Sequence, residues 1–338
     1  MRNWMMTVAL CCLLSPVAYG FEPLASIWVS GSNPDLVAEL AERYEVKDKE
    51  DGGYVLLLPP ADLVSVLNNY PGIRVVEKNI YQQLEEAIAA DPTYLDGYRS
   101  FDEIEQVLQK FVTDYPAIAS LEEYGQSANG RPLYALKISD NVAENETEPE
   151  LMLTASTHGD ELITVEVLVR LVEKMLVGYG TNDRFTDMVD NVELFIIPVV
   201  NPDGFVRRSR YANGVDPNRA YPWPERPSRS PVACVANVMS FFHNNDIAGG
   251  LDFHASGQMV MYPWAWTYDP VDSADELVFR NLGTAMAEEN GYAMGQISRI
   301  IYVAKGSSAD YYYWKTGALT YGIELATSKV PPSSRIPN

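Results

Sequence analysis

Cysteine and histidine are scarce in this sequence, and positive charge is in deficit. The 338 residues include three cysteines, three histidines and 25 lysines and arginines, against 46 aspartates and glutamates. The formal charge of −21 argues against nucleic acid or an anionic membrane surface as a partner, because either polyanion would be repelled. Internal repeats and low-complexity tracts are also absent, and no apolar run after residue 20 is long enough to span a bilayer. We therefore expect a globular protein that is not stably inserted in a membrane.

The first 20 residues have the pattern of a secretory signal peptide. A charged end precedes an apolar stretch at residues 5–14, and residues 18–20 form a small-x-small cleavage site. We therefore expect a secreted or periplasmic protein. Two of the three cysteines would leave with this segment, so Cys234 would remain alone and no intrachain disulfide could form.

A chain of 338 residues with 47% hydrophobic residues can bury a large core and is long enough for one catalytic domain and a smaller domain. Residues 21–90 are predicted to form the small α/β unit, because short apolar strands at 27–29, 54–58 and 73–76 alternate with helical patterns at 34–44 and 61–67. Its position behind the signal peptide suggests a prodomain that masks a site, although a packing module is an alternative. The charged, alanine-rich residues 81–92 are predicted to be a linker.

Residues 93–338 are predicted to form the catalytic domain. Ser100 and Glu103 have the spacing of a capping box for a helix to about residue 113, and a hairpin follows at residues 120–138. Later apolar strands alternate with helices, which implies a mostly parallel or mixed sheet. The active site of such a sheet lies at the ends of its strands.

The sequence Thr-His-Gly-Asp-Glu at residues 157–161 stands between an apolar run and a helical pattern. A strand that ends in His158 and turns into a helix would point His158 and Glu161 at one spot. Zinc hydrolases commonly bind the metal with two histidines, one carboxylate and a water, so this pattern predicts a distant third ligand. Taken alone, the spacing also fits a helix N-terminus at which the dipole favours a glutamate.

The third ligand is predicted to be His254. It ends an alternating strand beside small residues at 250–257, whereas His243 lies at a helix end, where a cap or an exposed position is expected.

A group of arginines at residues 207–210 follows the apolar strand at 192–200. Guanidinium groups there could converge on a carboxylate and on a developing oxyanion, although a solvated basic loop is the alternative. Asp216 follows shortly, and a carboxylate in this place could orient a metal-binding histidine through its second ring nitrogen.

Two further residues stand out near the end of the chain. Glu324 is a lone acid between apolar neighbours on a short strand, which makes it a candidate general base. Tyr302 precedes a glycine- and serine-rich loop that could close over a ligand, although an ordinary exposed tyrosine is the alternative.

The assembled order of polar residues over 94–338 resembles the zinc metallocarboxypeptidases of the carboxypeptidase A and B type. The order is His158-x-x-Glu161, Arg207, Asn218-Arg219, His254, Tyr302 and Glu324. The resemblance implies an α/β fold with a mixed, mostly eight-stranded central sheet flanked by helices, preceded here by a small α/β prodomain-like unit. It also implies a monomer that acts on peptides or proteins with a free C-terminal carboxylate.

The resemblance further assigns roles to these residues. One Zn²⁺ per chain would be bound by His158, Glu161 and His254. Glu324 would activate water, and Arg207 would polarise the scissile carbonyl.

The substrate would be held by three further residues. Asn218 and Arg219 would bind its terminal carboxylate, and Tyr302 would close over the bound residue. The residue before Asp310 would set the floor of the specificity pocket, and enzymes that prefer Lys or Arg commonly have an acid there.

At that position this chain has Ala309, which favours a large apolar or aromatic terminal residue. Asp252 could instead reach the pocket and create dual specificity.

Three departures from the family pattern matter. The segment between the arginines is short, so Arg208 or Arg210 could take the role of Arg207. No terminal helix is expected after Glu324, and no clear dibasic cleavage site precedes Tyr94. Alternatives to a carboxypeptidase are a zinc amidase or cell-wall peptide hydrolase on the same fold, or a non-catalytic binding module.

Overall fold

Two β-sheets organise the chain in the computed structural model, which describes residues 20–336 and omits the side chains of residues 48–50. The predicted signal peptide, apart from Gly20, therefore lies outside the described residues. Within them, no helix combines the length and the apolar character needed to cross a membrane.

The smaller sheet has four strands in the order β2-β3-β1-β4, and all three pairings are antiparallel. Its elements are β1 (Ala25–Ser30), α1 (Pro34–Ala41), β2 (Glu45–Glu50), β3 (Gly53–Leu58), α2 (Pro60–Asn69) and β4 (Arg74–Glu77). The three predicted strands and two predicted helices are all present. Strand β2 was not predicted, because its sequence Glu-Val-Lys-Asp-Lys-Glu has almost no apolar residues.

The prediction of a linker at residues 81–92 is wrong, because most of this segment is helical. Residues Gln82–Ala90 form helix α3, because Leu84 and Ile88 make one apolar face that packs on the core of the larger unit. Tyr81 precedes the helix, is buried, and donates a hydrogen bond from its hydroxyl group to Asp160. The segment therefore fastens the small unit to the large one.

The larger sheet is mixed and has eight strands in the order β11-β10-β12-β9-β7-β8-β6-β5. Its first half comprises α4 (Phe101–Asp114), β5 (Ala119–Gln126), β6 (Pro132–Ile138), β7 (Glu150–Ala155), α5 (Leu162–Gly178), α6 (Asp183–Val189) and β8 (Glu193–Ile197). Its second half comprises α7 (Pro202–Arg207), α8 (Ala233–Asn244), β9 (Ile247–Ala255), β10 (Met259–Tyr262), α9 (Ser273–Glu288), β11 (Ala293–Gln296), α10 (Ile297–Ile300), α11 (Ser308–Thr316) and β12 (Leu319–Leu325). The predicted fold class, a mixed eight-stranded sheet flanked by helices, is confirmed.

Helix α4 shows how local sequence directs this packing. The side chain of Ser100 accepts a hydrogen bond from the backbone amide of Glu103, and the Glu103 carboxylate accepts one from the Ser100 amide, which confirms the capping box. The helix then buries Ile104, Leu108 and Phe111, which share one face.

The central strands β8, β7, β9 and β12 are parallel, so their carboxyl ends meet at one edge. Glu324 on β12 pairs in register with His254 on β9. After β12 the described chain contains a short 3₁₀ helix at Ser333–Arg335 and no α-helix. This segment is anchored by the hydroxyl groups of Tyr94 and Tyr98, which donate to backbone carbonyls at residues 330 and 331.

Candidate metal centre and substrate pocket

The three predicted metal ligands meet at the carboxyl ends of β7 and β9. Nδ1 of His158 lies 2.8 Å from Glu161 Oε1, and Nδ1 of His254 lies 3.1 Å from both His158 Nδ1 and Glu161 Oε2. A tetrahedral zinc ion with bonds of about 2.0–2.1 Å separates its ligand atoms by roughly 3.3 Å, so this cluster fits zinc. His243 lies outside it, where its Nε2 is 2.8 Å from the hydroxyl group of Tyr311.

The second nitrogen of each histidine faces a carboxylate. Nε2 of His158 is 3.1 Å from Asp216 Oδ1, and Nε2 of His254 is 3.1 Å from Asp252 Oδ2. A carboxylate in this position orients the ring and leaves Nδ1 for a metal. Asp216 therefore lies where a tautomer-fixing carboxylate was expected.

The role of Asp252 as the carboxylate partner of His254 was not predicted. Its place two residues before His254 on one strand puts both side chains on the same face. Asp252 also accepts hydrogen bonds from the hydroxyl groups of Thr154 and Ser308, at 2.8 and 2.6 Å. These contacts hold its carboxylate against His254, and it does not line the substrate pocket.

The buried carboxylates of the site differ in their charge state. Burial raises the pKa of Glu161, but the nearby His158 and His254 hold it well below its ordinary value, so this ligand stays ionised. Burial and the negative charge of Glu161 raise the pKa of Glu324 to about 7. Among the described residues, Glu324 Oε2 has no hydrogen-bond partner, so it is available to a proton donor in the pocket.

The structure places Arg210, and not Arg207, at the metal cluster. Arg207 ends α7 and is exposed. The backbone then turns through a left-handed residue, Arg208 (φ 50°), and this reversal carries the chain inward two residues later. Arg210 is 3% exposed, donates from Nε to Asp216 Oδ2 at 2.9 Å, and has Nη1 3.6 Å from Glu161 Oε1.

The three residues predicted to hold the substrate share one pocket with the metal cluster. Arg219 donates from Nη2 to the Tyr302 hydroxyl group at 2.8 Å and from Nη1 to the Asn218 carbonyl at 2.9 Å. Asn218 Oδ1 accepts a hydrogen bond from the Ser308 amide at 2.9 Å, and its Nδ2 lies 3.2 Å from His254 Nε2. The 3₁₀ helix at Pro217–Arg219 and the loop before α11 thus meet beside the metal cluster.

One end of this pocket is apolar, and the whole cavity has a volume of about 280 Å³. The side chains at that end are Met259, Met261, Ala265, Ile297, Ile301, Ala304 and Ala309. The neighbouring Asp310 is turned away, because its carboxylate accepts hydrogen bonds from the amides of Ala265 and Trp266 at 2.7 and 2.8 Å. Burial raises the pKa of Asp310 to about 7.

The small unit forms part of the pocket wall through Glu45, Val46, Lys47 and Tyr54. The Glu45 carboxylate lies 3.0 Å from Arg210 Nη1 and 2.9 Å from Lys329 Nζ. Arg219 also donates from Nε to the carbonyl of Ala41 at 3.1 Å. Two of the guanidinium groups in the pocket are therefore bound to the small unit.

The contribution of Lys329 was missed by the sequence reasoning, and no local pattern marks it. Its side chain is 12% exposed, and its ammonium group lies between Glu45 and Asp160, 3.0 Å from the Asp160 carboxylate. It joins the segment after β12 to both units.

Comparisons with known proteins agree with this geometry. A family model described as zinc carboxypeptidase matches residues 104–338. A zinc carboxypeptidase from Saccharothrix mutabilis subsp. capreolus is 30% identical over 71% of this chain and 64% of its own length, and carboxypeptidase D from Homo sapiens is 27% identical over 71% of this chain and 20% of its own length. The chain thus spans less than two thirds of these relatives. The crystal structure of carboxypeptidase A from Helicoverpa armigera, 20% identical, superposes on 94% of this chain and 93% of its own with a TM-score of 0.72, which shows a shared fold.

Proposed function

Because this chain belongs to the zinc carboxypeptidase family, we propose that it hydrolyses the C-terminal peptide bond of peptides and proteins. The observation that carries the proposal is the meeting of two histidines, one ionised glutamate and Glu324 in a single pocket, where Oε2 of Glu324 has no hydrogen-bond partner among the described residues. Zinc bound by His158, Glu161 and His254 would lower the pKa of a water molecule and polarise the scissile carbonyl.

The residues around that position have complementary roles. Glu324 accepts the proton of the attacking water and returns it to the leaving amine, a task that suits a carboxylate whose pKa is raised toward neutrality. Arg210 donates to the oxygen that becomes negative, because its guanidinium group lies beside the ligand cluster. We assign this role to Arg210 in place of Arg207.

The terminal carboxylate of the substrate binds to Asn218 and Arg219, and Tyr302 lies over the bound residue. The mutual contacts of these three side chains support this assignment. Arginine presents a planar fork that matches a carboxylate, which favours substrates with a free C-terminus.

Replacement of the general base tests this function. We expect Glu324→Gln to lower turnover of a peptide with a free C-terminus by a factor of at least about 100, because the group that accepts the proton of the attacking water is lost. The measurement is kcat with the zinc content of each preparation determined. Glu289→Gln, an exposed site with the same chemical change, is the matched control and should retain activity.

Near-normal turnover in Glu324→Gln would refute the assignment. The same assay on C-terminally amidated peptides separates the alternatives, because equal cleavage of free and amidated peptides would indicate an amidase or an endopeptidase such as a cell-wall peptide hydrolase. Absence of hydrolysis by the zinc-loaded wild type, both before and after proteolytic removal of residues 21–90, would indicate a non-catalytic binding module.

We further propose that the enzyme prefers a large apolar or aromatic terminal residue, such as Phe, Tyr, Leu or Met. The apolar lining at Met261, Ile297 and Ala309 supports this preference. Among the described residues that line the pocket, the carboxylates are Glu45, Glu161 and Glu324. The first two lie beside Arg210, and burial with the charge of Glu161 raises the pKa of Glu324 to about 7. A terminal Lys or Arg would thus lose its hydration without gaining an ion pair at the apolar end.

The preference is tested with peptides that differ in the terminal residue. We expect kcat/KM to be higher for Phe than for Arg by about tenfold or more, and Ala309→Asp to shift this ratio toward Arg. Ala309→Ser is the matched control, because it adds polarity without charge. A wild-type preference for Arg would show that the apolar pocket is not the specificity site.

Residues 21–90 are proposed to be a prodomain that covers the cleft, and the contacts of Glu45 and Ala41 support this role. Export of the protein is proposed from the pattern of residues 1–20.

A further inference from the structure

Asp310 follows Ala309, the proposed floor of the specificity pocket, and lies in the protein interior. It is the third residue of helix α11 and is 0% exposed. A carboxylate in the first turn of a helix commonly serves the amides or the dipole of its own helix. In α11 the side chain of Ser307 fills that role, because its hydroxyl oxygen accepts a hydrogen bond from the Asp310 amide at 3.3 Å. The carboxylate of Asp310 is therefore available to another segment.

That segment is residues 264–266, the pocket wall, which contributes Ala265 to the apolar end of the pocket. Oδ1 of Asp310 accepts a hydrogen bond from the Ala265 amide at 2.7 Å, and Oδ2 accepts one from the Trp266 amide at 2.8 Å. Because both carboxylate oxygens are used, two successive residues of the wall are fixed relative to Ala309. One side chain thus sets the distance between the floor of the pocket and its wall.

The pocket wall is also bound to the rest of the apolar lining. The carbonyl of Ala265 accepts a hydrogen bond from the Ala304 amide at 2.8 Å, and the carbonyl of Trp264 accepts one from the Ser298 amide at 3.2 Å. Ala304 and Ile297 line the same end of the pocket. A displacement of the wall would therefore change several of the apolar surfaces that a terminal side chain contacts.

We propose that Asp310 is a positioning residue for substrate specificity, which holds the pocket wall against Ala309 and keeps the apolar end shaped for a large terminal side chain. The inference rests on the proposed hydrolysis of C-terminal peptide bonds and on the proposed apolar preference. Asp310 does not line the pocket, so it acts through the wall and not by contact with substrate. A small terminal residue such as Ala leaves the apolar end unfilled and should depend less on this wall.

Both amides of the wall have a good acceptor only while Asp310 is ionised. A protonated carboxyl group keeps one carbonyl oxygen as an acceptor, whereas its other oxygen becomes a hydroxyl donor. Burial raises the pKa of Asp310 to about 7, opposed by the two amides and by Ser307, and no charged side chain of the described residues contributes. The wall should therefore be held more firmly above about pH 7 than below it.

Replacement of Asp310 tests the proposal. The zinc-loaded chain from residue 21 is used in the form, intact or proteolytically processed, in which the wild type hydrolyses peptides that end in Phe and in Ala. We expect Asp310→Asn to lower kcat/KM for the Phe peptide at least about fivefold more than for the Ala peptide, with the difference in KM. The reason is that the amide nitrogen of Asn must face one of the two backbone donors.

Asp272→Asn is the matched control and should keep the wild-type ratio of the two peptides. Asp272 is an exposed carboxylate at the start of α9, outside the pocket, and it also accepts a hydrogen bond from a backbone amide, at 3.0 Å.

The wild type gives a second measurement that needs no variant. The ratio of kcat/KM for the Phe peptide to that for the Ala peptide should be larger at about pH 8.5 than at about pH 6, and Asp310→Asn should lose this difference. The pKa of Glu324 is also raised to about 7, but Glu324 serves both peptides, so its titration cancels in the ratio. The zinc content is determined at both pH values.

An unchanged ratio in a folded Asp310→Asn variant would overturn the proposal, including a case in which kcat falls equally for both peptides. If the variant does not fold, an equal wild-type ratio at the two pH values would overturn it. Failure of the proposed function is a separate result. If the wild type hydrolyses neither peptide, isothermal titration with N-acetylphenylalanine and N-acetylalanine replaces the kinetics, and the same ratios of affinity decide.

Discussion

Arg210 is a buried residue whose positive charge is balanced by two carboxylates. Its guanidinium group is bound on one side to Asp216 and on the other to Glu45, 2.9 and 3.0 Å away. Burial raises the pKa of Asp216, but Arg210 and His158 hold it well below its ordinary value, so the pair stays ionised. In the proposed reaction, the edge of the guanidinium group that now binds Glu45 would turn to a substrate oxygen after Glu45 has left.

This arrangement predicts a sharp difference between two neighbouring arginines. We expect Arg210→Gln to lower kcat by a factor of at least about 100, because a donor to the developing oxyanion is lost. Arg207→Gln is the matched control and should leave kcat unchanged, since Arg207 is exposed outside the pocket.

Steady-state kinetics with zinc content and Tm recorded for both variants checks this expectation. Loss of Arg210 also removes the buried ion pair that it forms with Asp216, so a lower Tm is expected in that variant. If Arg207→Gln lost as much activity as Arg210→Gln while both kept their zinc, the assignment of Arg210 would be wrong.

At the scale of elements, strand β2 has the most direct effect on the proposed substrate pocket. It is the edge strand of the small sheet, and its first residues line the substrate pocket. Burial raises the pKa of Glu45, but Arg210 and Lys329 hold it below its ordinary value, so its carboxylate remains charged. Glu45 thus occupies a guanidinium group that the proposed reaction needs.

We therefore expect Glu45→Gln to raise the activity of the chain that retains the small unit. Two charge-assisted contacts are lost, each worth about 1.5–3 kcal/mol, so an increase of about tenfold or more is expected. Glu77→Gln, at an exposed position of β4 in the same unit, is the matched control.

Initial rates on a peptide with a free C-terminus, measured before any proteolysis, provide the test. An unchanged rate in Glu45→Gln would mean that Glu45 does not restrain the site. The small unit would then act through simple coverage or as an aid to folding.

At the scale of the whole molecule, the central strands of the larger unit and the helices α4 and α5 could be predicted from local patterns, whereas β10, β11 and α9 were not predicted. The capping box at Ser100 and the apolar strands at the centre of the sheet are examples, because each depends on residues a few positions apart. Strand β2 and helix α3 were missed for the opposite reason. Strand β2 is mostly charged. The apolar face of α3 can be recognised as buried only when the core on which it packs is known.

The composition and order of residues by themselves pointed to the three residues of the candidate metal site. The chain has three histidines, and two of them end predicted strands, so few combinations of residues could form a zinc site. The resemblance to a known family then assigned the remaining roles. The place of Glu324 at a strand end had the same origin, since strand ends in a parallel sheet converge whatever lies between them.

The tertiary structure alone decided which arginine enters the site and which charges surround it. Arg207 and Arg210 are three residues apart, and a single left-handed turn at Arg208 determines which of them points inward. Glu45 and Lys329 are 284 residues apart and meet only because the small unit lies against the segment that follows β12. Such contacts depend on the geometry of packing between distant elements, which no local pattern of residue types encodes.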